Sequence, residues 1–436
     1  MSVTFTPSQV GGPSAVPLPY TGPPGQLCVY DLKLIFKYRS RILGVILPWN
    51  KWLSGELDEL YPSIPNLVCM GLHLFLFLWQ SFFLISIPFC LILPLGWVII
   101  YMAAVFLINA GVSRILNGPG DSLDSKADIG SDVKHEEERW IFLNGVAVGR
   151  HWLQCNIDRL ALTFRRPVLG VHNRTNGFIF DLIQCMIERN FCYPTEDVRT
   201  SYVQIKSALL DDKYKKVVLI LHSQGGIEGS LILDWLLDEV PQDLLQQLEI
   251  YTFGSAANHF NNPHRSYSSM QAAKASRHSA PEGKAIRYIE HYADSGDFVA
   301  RWGVLSFNTL NNRYMGRVFT RPGSGHLLNQ HYMNTMFPLG PDKRVLKTND
   351  FMEMEANISN DAILDEPREG ILSSLRSSGA GADEDVAIVE DINSPISLVT
   401  VAKSGSLFAS DRVQHPPKVK DLSRLWLYRN GGSPPN

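Results

Sequence analysis

The feature that most constrains this 436-residue chain is a long stretch without a charged side chain. No Asp, Glu, Lys or Arg occurs between Glu59 and Arg114, and the polar residues inside the stretch are few. One membrane-spanning helix needs roughly 20 apolar residues, so the stretch is long enough for two. Helices of a soluble core rarely continue this far without a charge. The sequence therefore predicts a membrane segment over residues 66–113.

Two prolines divide the stretch near its middle. Pro88 and Pro94 each lack a backbone N–H group, which favours a break in a helix. We therefore predict helices over 66–87 and 96–112, joined by a short apolar bend. The pattern fits a transmembrane hairpin and also a hairpin that is only half inserted, and the sequence leaves both open.

Basic residues flank the predicted hairpin on both sides, whereas its bend has no charge. The positive-inside bias places both flanks in the cytosol, so we expect both termini and the large C-terminal part to be cytosolic. The endoplasmic reticulum and lipid droplets are the locations that we favour. Residues 28–65 mix basic and apolar side chains, as in an amphipathic helix at the membrane interface or a simple juxtamembrane flank. The flanking residues are Lys33, Lys37, Arg39, Arg41, Lys51, Arg114 and Lys126.

Three further regions have the composition of connecting or disordered segments. Residues 1–27 are rich in Pro and Gly and contain no Lys or Arg, which predicts a disordered leader and not a secretory signal. Residues 114–138 are polar and contain glycines, as is typical of a linker. Residues 347–436 have no lasting periodicity and predict a mostly disordered tail, in which 418–430 could form a short amphipathic helix.

Between the linker and the tail, residues 139–346 alternate short apolar runs with helical patterns. The runs are almost continuously apolar, which indicates strands buried on both faces of a parallel sheet. Helices such as 177–190 and 227–240 would supply the crossovers that parallel strands require. The predicted fold class is therefore α/β. The strand candidates cover 140–145, 168–173, 217–222, 250–255, 285–293 and 317–321.

The segment KKVVLILHSQGGIEGSLILDWLL predicts a buried strand, a tight turn that contains Ser223, and a helix. Such a turn raises a serine hydroxyl above the sheet edge, where the helix N-terminus offers free N–H groups to an oxyanion. The usual pattern is GxSxG, and Leu221 stands here in place of the first glycine. The alternative interpretation is an ordinary strand-to-helix turn that contains a serine.

A hydrolase triad on an α/β sheet needs an acid after a later strand and a histidine after the last strand. Asp297 follows the fifth predicted strand, and His326 follows the sixth. Asp294 is a reserve for the acid, and His331 is a reserve for the histidine. The sequence thus favours Ser223, Asp297 and His326 as nucleophile, acid and base, with His326 preferred because it directly follows its strand.

Three segments resemble motifs of the α/β-hydrolase superfamily, and most closely those of the class 3 (fungal-type) lipases. LHSQGG resembles the GHSLGG turn of that family, YTFGSAANHF is similar to its TFGxPxxGNxxF block, and DFVARW resembles its DxVPxxP segment. The resemblance extends over residues 140–337 and implies an α/β-hydrolase fold with lipase-type activity. It assigns Ser223 as nucleophile, Asp297 as acid, and His326 or His331 as base.

The chain departs from the family pattern at Leu221, in place of glycine, and at Ala300, in place of proline. Its histidine is also closer to the aspartate than is usual. After the first strand this fold usually has an HG motif whose next N–H group completes the oxyanion hole, and Asn144 replaces that histidine here. The resemblance therefore implies the N–H groups of Val146 and Gln224 as oxyanion donors.

Other residues and the overall composition exclude several classes of function. Lys+Arg 40 and Asp+Glu 43 give a formal net charge of -3, so the overall charge does not indicate a nucleic-acid binder. Six cysteines without CxxC or CxxH spacing indicate neither a zinc site nor a disulfide framework, and we expect no metal or organic cofactor. His172, His222 and His291 are interpreted as structural residues.

These patterns lead to one leading hypothesis and one alternative. The first is a membrane-anchored serine hydrolase that cleaves an ester or thioester through an acyl-serine intermediate. We expect the ester to belong to a lipid, because the anchor would hold the site near the bilayer. The alternative is a catalytically inactive α/β-hydrolase-like domain that acts as a membrane scaffold, which Leu221 motivates. The expected partners are the lipid bilayer and an acyl-ester substrate. The sequence does not indicate an oligomeric state.

Overall fold

The computed structural model describes residues 2–9, 22–49, 52–130, 135–265, 284–310, 313–358, 386–388, 400–402 and 416–435. Over these residues the chain is a mixed α/β structure with a mostly parallel sheet, which confirms that part of the predicted fold class. The long helices are α1 (Pro24–Tyr38), α2 (Ile64–Ser86), α3 (Leu95–Asn117), α4 (Arg150–Phe164), α5 (Phe178–Phe191), α6 (Glu196–Leu210) and α7 (Gly225–Glu239).

Short helical turns connect the longer elements. One of them is a π-helix over Leu328–Met333. The others cover Arg39–Val45, Gly55–Leu57, Ile87–Ile92, Gln242–Leu245, Phe298–Trp302, Val304–Phe307, Asn334–Met336, Val419–Leu422, Arg424–Leu427 and Arg429–Gly431.

Nine strands of the described residues form the main sheet. They are β1 (Val3–Thr6), β2 (Ser122–Asp124), β3 (Glu138–Leu143), β4 (Val168–Val171), β5 (Lys216–His222), β6 (Leu248–Phe253), β7 (Tyr288–Asp294), β8 (Arg317–Arg321) and β9 (Ala356–Ile358). Their spatial order is β2-β4-β3-β5-β6-β7-β8-β1-β9. A separate antiparallel pair joins Val386–Ile388 to Thr400–Ala402.

The centre of the sheet consists of the six strands that the sequence predicts. From β4 to β8 in spatial order, each strand runs parallel to its neighbour. At the two sides, β2 pairs antiparallel with β4 and β1 pairs antiparallel with β8, and β9 runs parallel to β1. The carboxyl ends of the six central strands therefore meet at one edge of the sheet.

Side chains that alternate along the strands give the sheet two apolar faces. On β3, Ile141 and Leu143 join the core formed with α5, α6 and α7. Trp140 and Phe142 point to the other face and pack in the core formed with α4 and the C-terminal residues. Burial on both faces explains why these strands are almost continuously apolar in the sequence.

The predicted disordered leader 1–27 and the predicted linker 114–138 contain regular elements where the structure describes them. Val3–Thr6 form β1, where Phe5 pairs with Phe319 of β8, and α1 begins at Pro24. In the predicted linker, α3 continues to Asn117 and Ser122–Asp124 form β2. These strands are three or four residues long, too short for an apolar period to be recognised in the sequence.

Two groups of residues in the predicted mostly disordered tail, 356–358 and 416–435, have a described structure. Val419–Leu422 and Arg424–Leu427 are short helices within 418–430, where the sequence allowed one. The first group forms β9, and the second packs against the sheet through buried polar contacts. Arg424 Nη2 donates to Glu249 Oε1 (2.8 Å), and the Tyr428 hydroxyl donates to Glu249 Oε2 (2.8 Å). The Arg424 N–H donates to Glu290 (2.9 Å). Most of the predicted tail lies outside the described residues.

Helices α2 and α3 cover the predicted hairpin. Both are long and apolar enough to cross a membrane by length and composition. Only 17% and 11% of their most apolar windows are buried, so they are not core helices of the α/β domain. The buried residues of α2 follow the helical period and form one stripe that packs on the domain. They are Asn66, Cys69, Leu76, Gln80 and Phe83.

Helix α1 is joined to the α/β domain by a buried ion pair. The Arg189 guanidinium donates to both carboxylate oxygens of Asp31, at 2.5 and 2.8 Å. The same guanidinium lies 3.9 Å from the centre of the Trp302 ring, over its face. The predicted juxtamembrane segment 28–65 therefore begins in a helix that is fixed to the domain.

We expect Asp31→Ala to lower the free energy of unfolding by roughly 3–5 kcal/mol, because Arg189 would remain buried without its partner. The control is Arg174→Ala, which removes an exposed ion pair with Asp121 and should change the stability little. Thermal unfolding of the purified protein in detergent measures both. Equally small shifts in the two variants would contradict the role of the buried pair.

Candidate functional site

Ser223 lies in the turn between β5 and α7, as predicted. Its φ angle is +58°, in the left-handed region that residues other than glycine rarely adopt. The turn is fixed by backbone hydrogen bonds: the Ser223 N–H donates to Phe253 O (3.1 Å), and the Ser223 carbonyl accepts from Gly226 and Ala256 (both 3.0 Å). A strained serine held in this way is a common feature of functional sites.

The structure explains how Leu221 fits where the usual motif has glycine. A Cβ atom on Gly229, in α7, would lie 2.3 Å from Leu221 Cδ1. In the usual motif, the glycine on the strand leaves room for the helix to pack closely. Here the glycine on the helix, Gly229, leaves that room. Leu221 is therefore compatible with close packing of α7 on β5.

Asp297 and His326 form a buried hydrogen-bonded pair at the same sheet edge. Asp297 follows β7 and accepts from His326 Nδ1 on Oδ2 (2.8 Å). Its Oδ1 accepts from the Val299 N–H (2.8 Å), and its Oδ2 also accepts from the Tyr332 hydroxyl (2.7 Å). These donors fix the carboxylate and direct Nδ1–H of His326 towards it. His326 Nε2 is buried and has no hydrogen-bond partner among the described residues.

The histidine is also held by its backbone and by a neighbouring ring. The His326 N–H donates to Val45 O (3.1 Å), and its carbonyl accepts from His222 Nε2 (2.8 Å). The His222 and His326 rings stack with 4.7 Å between their centres. Burial holds the pKa of His222 well below its ordinary value, so His222 is neutral. This contact brings His326 beside the residue that precedes Ser223.

The two reserve residues have other partners. Asp294 accepts two hydrogen bonds from the Arg321 guanidinium, at 2.7 and 2.5 Å. His331 Nδ1 accepts from the Leu327 N–H (3.0 Å) and its Nε2 donates to Pro48 O (3.0 Å), while burial lowers its pKa to about 4. The structure therefore pairs Asp297 with His326 and not with His331.

The loop after β3 packs directly against Ser223. A Cβ atom on Gly145 would lie 2.9 Å from Ser223 Oγ, so only glycine fits there. In the described part of the chain, the N–H groups of Val146 and Gln224 donate no hydrogen bond. These are the two N–H groups that the resemblance implies as oxyanion donors. Asn144, which replaces the expected histidine, ties this loop to the end of β4 through the Asn173 backbone (3.0 and 2.9 Å).

Buried acids lie behind this loop. Asp181 of α5 accepts from the Ala147 N–H (2.9 Å), and burial raises its pKa to about 6. The Gln224 side chain donates to Glu188 (3.0 Å), whose pKa burial raises to about 7. Burial and the nearby Glu188 also raise the pKa of Glu228 well above its usual value. Asp181 and Glu188 thus bind Ala147 and Gln224 from behind.

Several contacts of this site could not be found by sequence reasoning. Tyr332 and Val45 come from segments without a recognisable motif, and Tyr332 lies in an unusual π-helix.

His172 and His291, interpreted as structural, contact backbone carbonyls: His172 Nε2 lies 3.3 Å from Val148 O, and His291 Nε2 lies 2.9 Å from Met315 O. Among the described residues, no group of three or more His, Cys, Asp or Glu could hold a metal ion.

No protein family model matches the chain, and a search of curated proteins gives no significant match. The resemblance to class 3 lipases therefore stays a prediction that rests on the motifs quoted above.

The packing of Leu221 on Gly229 can be tested by a double-mutant cycle. Leu221→Ala should cost roughly 2–5 kcal/mol of stability, and Gly229→Ala should also destabilise because its methyl group would meet Leu221. In the double variant that methyl group enters the space left by Leu221. We expect the combined loss to be smaller than the sum by about 1 kcal/mol or more, measured by thermal unfolding. Strictly additive losses would contradict this account.

Proposed function

We propose that this protein is a membrane-attached serine hydrolase of the α/β-hydrolase type that cleaves a lipid ester or thioester through an acyl-Ser223 intermediate. The observation that carries the proposal is the Asp297–His326 hydrogen bond (2.8 Å), with His326 Nε2 buried and without a partner among the described residues. In a serine hydrolase the carboxylate orients one imidazole nitrogen and the other takes the proton of the serine hydroxyl. His326 Nε2 makes no hydrogen bond to Ser223 Oγ in this structure, and in the proposal the two atoms come together when the substrate binds.

The order of the elements supports the hydrolase assignment. Ser223 follows β5 near the middle of the parallel strands, Asp297 follows β7, and His326 follows β8. This is the chain order of nucleophile, acid and histidine in α/β-hydrolases. The left-handed backbone of Ser223 between strand and helix agrees with the turn that presents the nucleophile in that fold.

The acylation step uses these groups in turn. Ser223 Oγ attacks the carbonyl carbon of the ester while His326 Nε2 takes the hydroxyl proton. The oxyanion that forms accepts hydrogen bonds from the Val146 and Gln224 N–H groups. As the bond to the leaving group breaks, His326 donates its proton to the departing alcohol or thiol. Asp297 keeps the ring oriented and stabilises the imidazolium.

Water then removes the acyl group by the same route. His326 takes a proton from the water as its oxygen attacks the acyl carbon, and the second tetrahedral oxyanion uses the same two donors. The proton returns to Ser223 Oγ when the carboxylic acid leaves. The cycle consumes one ester and one water and restores the resting enzyme. It needs no metal or organic cofactor.

The surroundings of His326 support a lipid substrate. The segment Arg39–Trp49 contacts the histidine loop from its inner side: Val45 O accepts from the His326 N–H (3.1 Å), and Pro48 O accepts from His331 (3.0 Å). On its outer side the segment exposes Leu43 (75%), Ile46 (50%) and Trp49 (61%). Large apolar groups exposed together indicate contact with a membrane or partner. Lipid contact there would place the site at the bilayer surface.

The location is part of the same proposal. The basic flanks of the hairpin favour a domain on the cytosolic side. The substrate would then be an ester dissolved in the cytosolic leaflet of the endoplasmic reticulum or in the surface of a lipid droplet.

The second candidate is an inactive hydrolase-like domain that acts as a membrane scaffold. The observation that favours it is the burial of the site, because Ser223 is 3% exposed and His326 is 5% exposed. A substrate carbonyl reaches these atoms only if a covering segment moves. An activity measurement separates the two candidates.

We expect the full-length protein in phosphatidylcholine vesicles to hydrolyse a long-chain fluorogenic ester dissolved in the bilayer, and Ser223→Ala to lower kcat/KM by roughly 10³-fold or more. The matched control is Ser230→Ala. Ser230 is a buried serine of α7 whose hydroxyl donates to Ile227 O (2.8 Å), away from the turn.

A short-chain soluble ester completes this test. If the protein hydrolyses only the soluble ester, a lipid substrate is excluded, and the assignment as a serine hydrolase still holds. Turnover that survives Ser223→Ala, or no turnover of either ester by the wild-type protein, would contradict the enzymatic proposal, and the second result would favour the scaffold.

Tyr332 is a positioning residue in this account, because its hydroxyl donates to the same Asp297 oxygen that accepts from His326. We expect Tyr332→Phe to lower kcat about 5- to 10-fold and to leave KM unchanged, since one hydrogen bond to a charged group is lost. The control is Tyr314→Phe, which removes a buried hydrogen bond to Ser255. Equal effects of the two variants on kcat would contradict the positioning role.

A further inference from the structure

We propose that the α2–α3 hairpin enters a single leaflet of the membrane obliquely and does not cross the bilayer. This inference rests on the membrane attachment proposed above and goes beyond it, because a crossing hairpin and a half-inserted hairpin have the same length and composition. The contacts between the hairpin and the α/β domain distinguish them.

Two polar side chains in the middle of the hairpin bind the domain. Gln80 Nε2 donates to Asn109 Oδ1 (2.9 Å) and to Asn176 O (2.6 Å), and Asn109 Nδ2 donates to the same carbonyl (3.0 Å). Gln80 Oε1 accepts from the Ile179 N–H at the start of α5 (3.0 Å). Both side chains are buried. The domain therefore contacts the hairpin at least as far as Gln80 on α2 and Asn109 on α3. Slightly beyond them, the Phe180 ring of α5 lies 6.1 Å from the ring centres of both Phe83 and Phe106.

Charged residues of the domain face α3 just beyond this point. A cavity of about 680 Å³ is lined by Ala110 and Arg114 of α3 and by Arg174, Glu196 and Asp197 of the domain. Charged groups are costly in the hydrocarbon core and need water or close partners. The cavity therefore marks the aqueous side of the boundary, and lipid can surround α3 only from Asn109 towards Leu95.

The free part of the hairpin is too short to cross. From Leu95 to Asn109 the helix rises about 21 Å, at 1.5 Å for each residue. The hydrocarbon core is roughly 30 Å thick, so the free part reaches through one leaflet and not through two. A crossing hairpin would pull the charged cavity of the domain into the hydrocarbon.

The bend of the hairpin also fits an end that stays in lipid. The residues from Ile87 to Leu95 include no charged side chain, and Leu91 and Ile92 are 88% and 81% exposed. A crossing hairpin would expose these side chains to water on the far side. In half insertion they remain among acyl chains.

The hairpin face that points away from the domain is apolar along its length. Leu74, Leu78, Phe82 and Leu107 are 59%, 58%, 60% and 72% exposed. An upright hairpin would leave part of this face in water. Oblique entry covers both this face and the bend with the acyl chains of one leaflet.

The test uses Leu91→Cys, because Leu91 is so exposed in the protein itself that only lipid can protect a thiol there. The purified full-length variant is added to preformed phosphatidylcholine vesicles, so that the domain stays outside. A membrane-impermeant maleimide is supplied either outside or enclosed within the vesicles. Flotation after an alkaline carbonate wash measures insertion, and peptide mass spectrometry identifies the labelled thiols. Cys192, exposed on the domain, is the internal control.

We expect the protein to float with the vesicles and the introduced thiol to react with neither pool of reagent, until detergent restores its reaction. Cys192 should react with outside reagent only. Reaction of the introduced thiol with enclosed reagent would overturn half insertion and leave the membrane anchor of the proposed function intact. Failure to float, or reaction of the introduced thiol from outside, would overturn both the insertion and the anchor.

Discussion

The parallel alignment of six central strands is the constraint on which the rest of the structure depends. It brings the carboxyl ends of β5, β7 and β8 to one edge, so that Ser223, Asp297 and His326 lie at the same edge although they are far apart in the chain. Asp297 and His326 are hydrogen-bonded to each other there. Away from this edge, the C-terminal residues bind buried glutamates of β6 and β7. These contacts hold the sheet in place away from the edge where the proposed chemistry would occur.

Contacts near the N-terminus connect the site to the apolar surface of the protein. The Asp31–Arg189 pair fixes α1 to α5, and Val45 at the end of the following turn holds the backbone of His326. The loop after Asn173 binds Gln80 and Asn109 of the hairpin. In the proposed account, separate contacts of one domain therefore position the histidine and the membrane-inserted part, and the site stays at a fixed height above the lipid.

The sequence predicted an element correctly where one local pattern of residues determines that element. Continuous apolar runs predicted the six central strands, and the uncharged stretch predicted α2 and α3 to within a few residues at most boundaries. The sequence did not predict elements or contacts that depend on short or distant segments. Strand β1 has only four residues, and Arg424 binds Glu249, which is far from it in the chain. The position of Asp297 could be predicted because it follows a strand, but its donor Tyr332 could not, since no periodicity encodes a π-helical contact. Leu221 was a departure from the motif until the structure placed Gly229 opposite it.

The most direct test of the central claim is covalent labelling of the full-length protein with a fluorophosphonate, followed by peptide mass spectrometry. A serine activated by the Asp297–His326 pair should become phosphonylated, so the account predicts one adduct for each chain, on the peptide that contains Ser223. An adduct on a different serine, or no adduct with the intact membrane-bound protein, would contradict it.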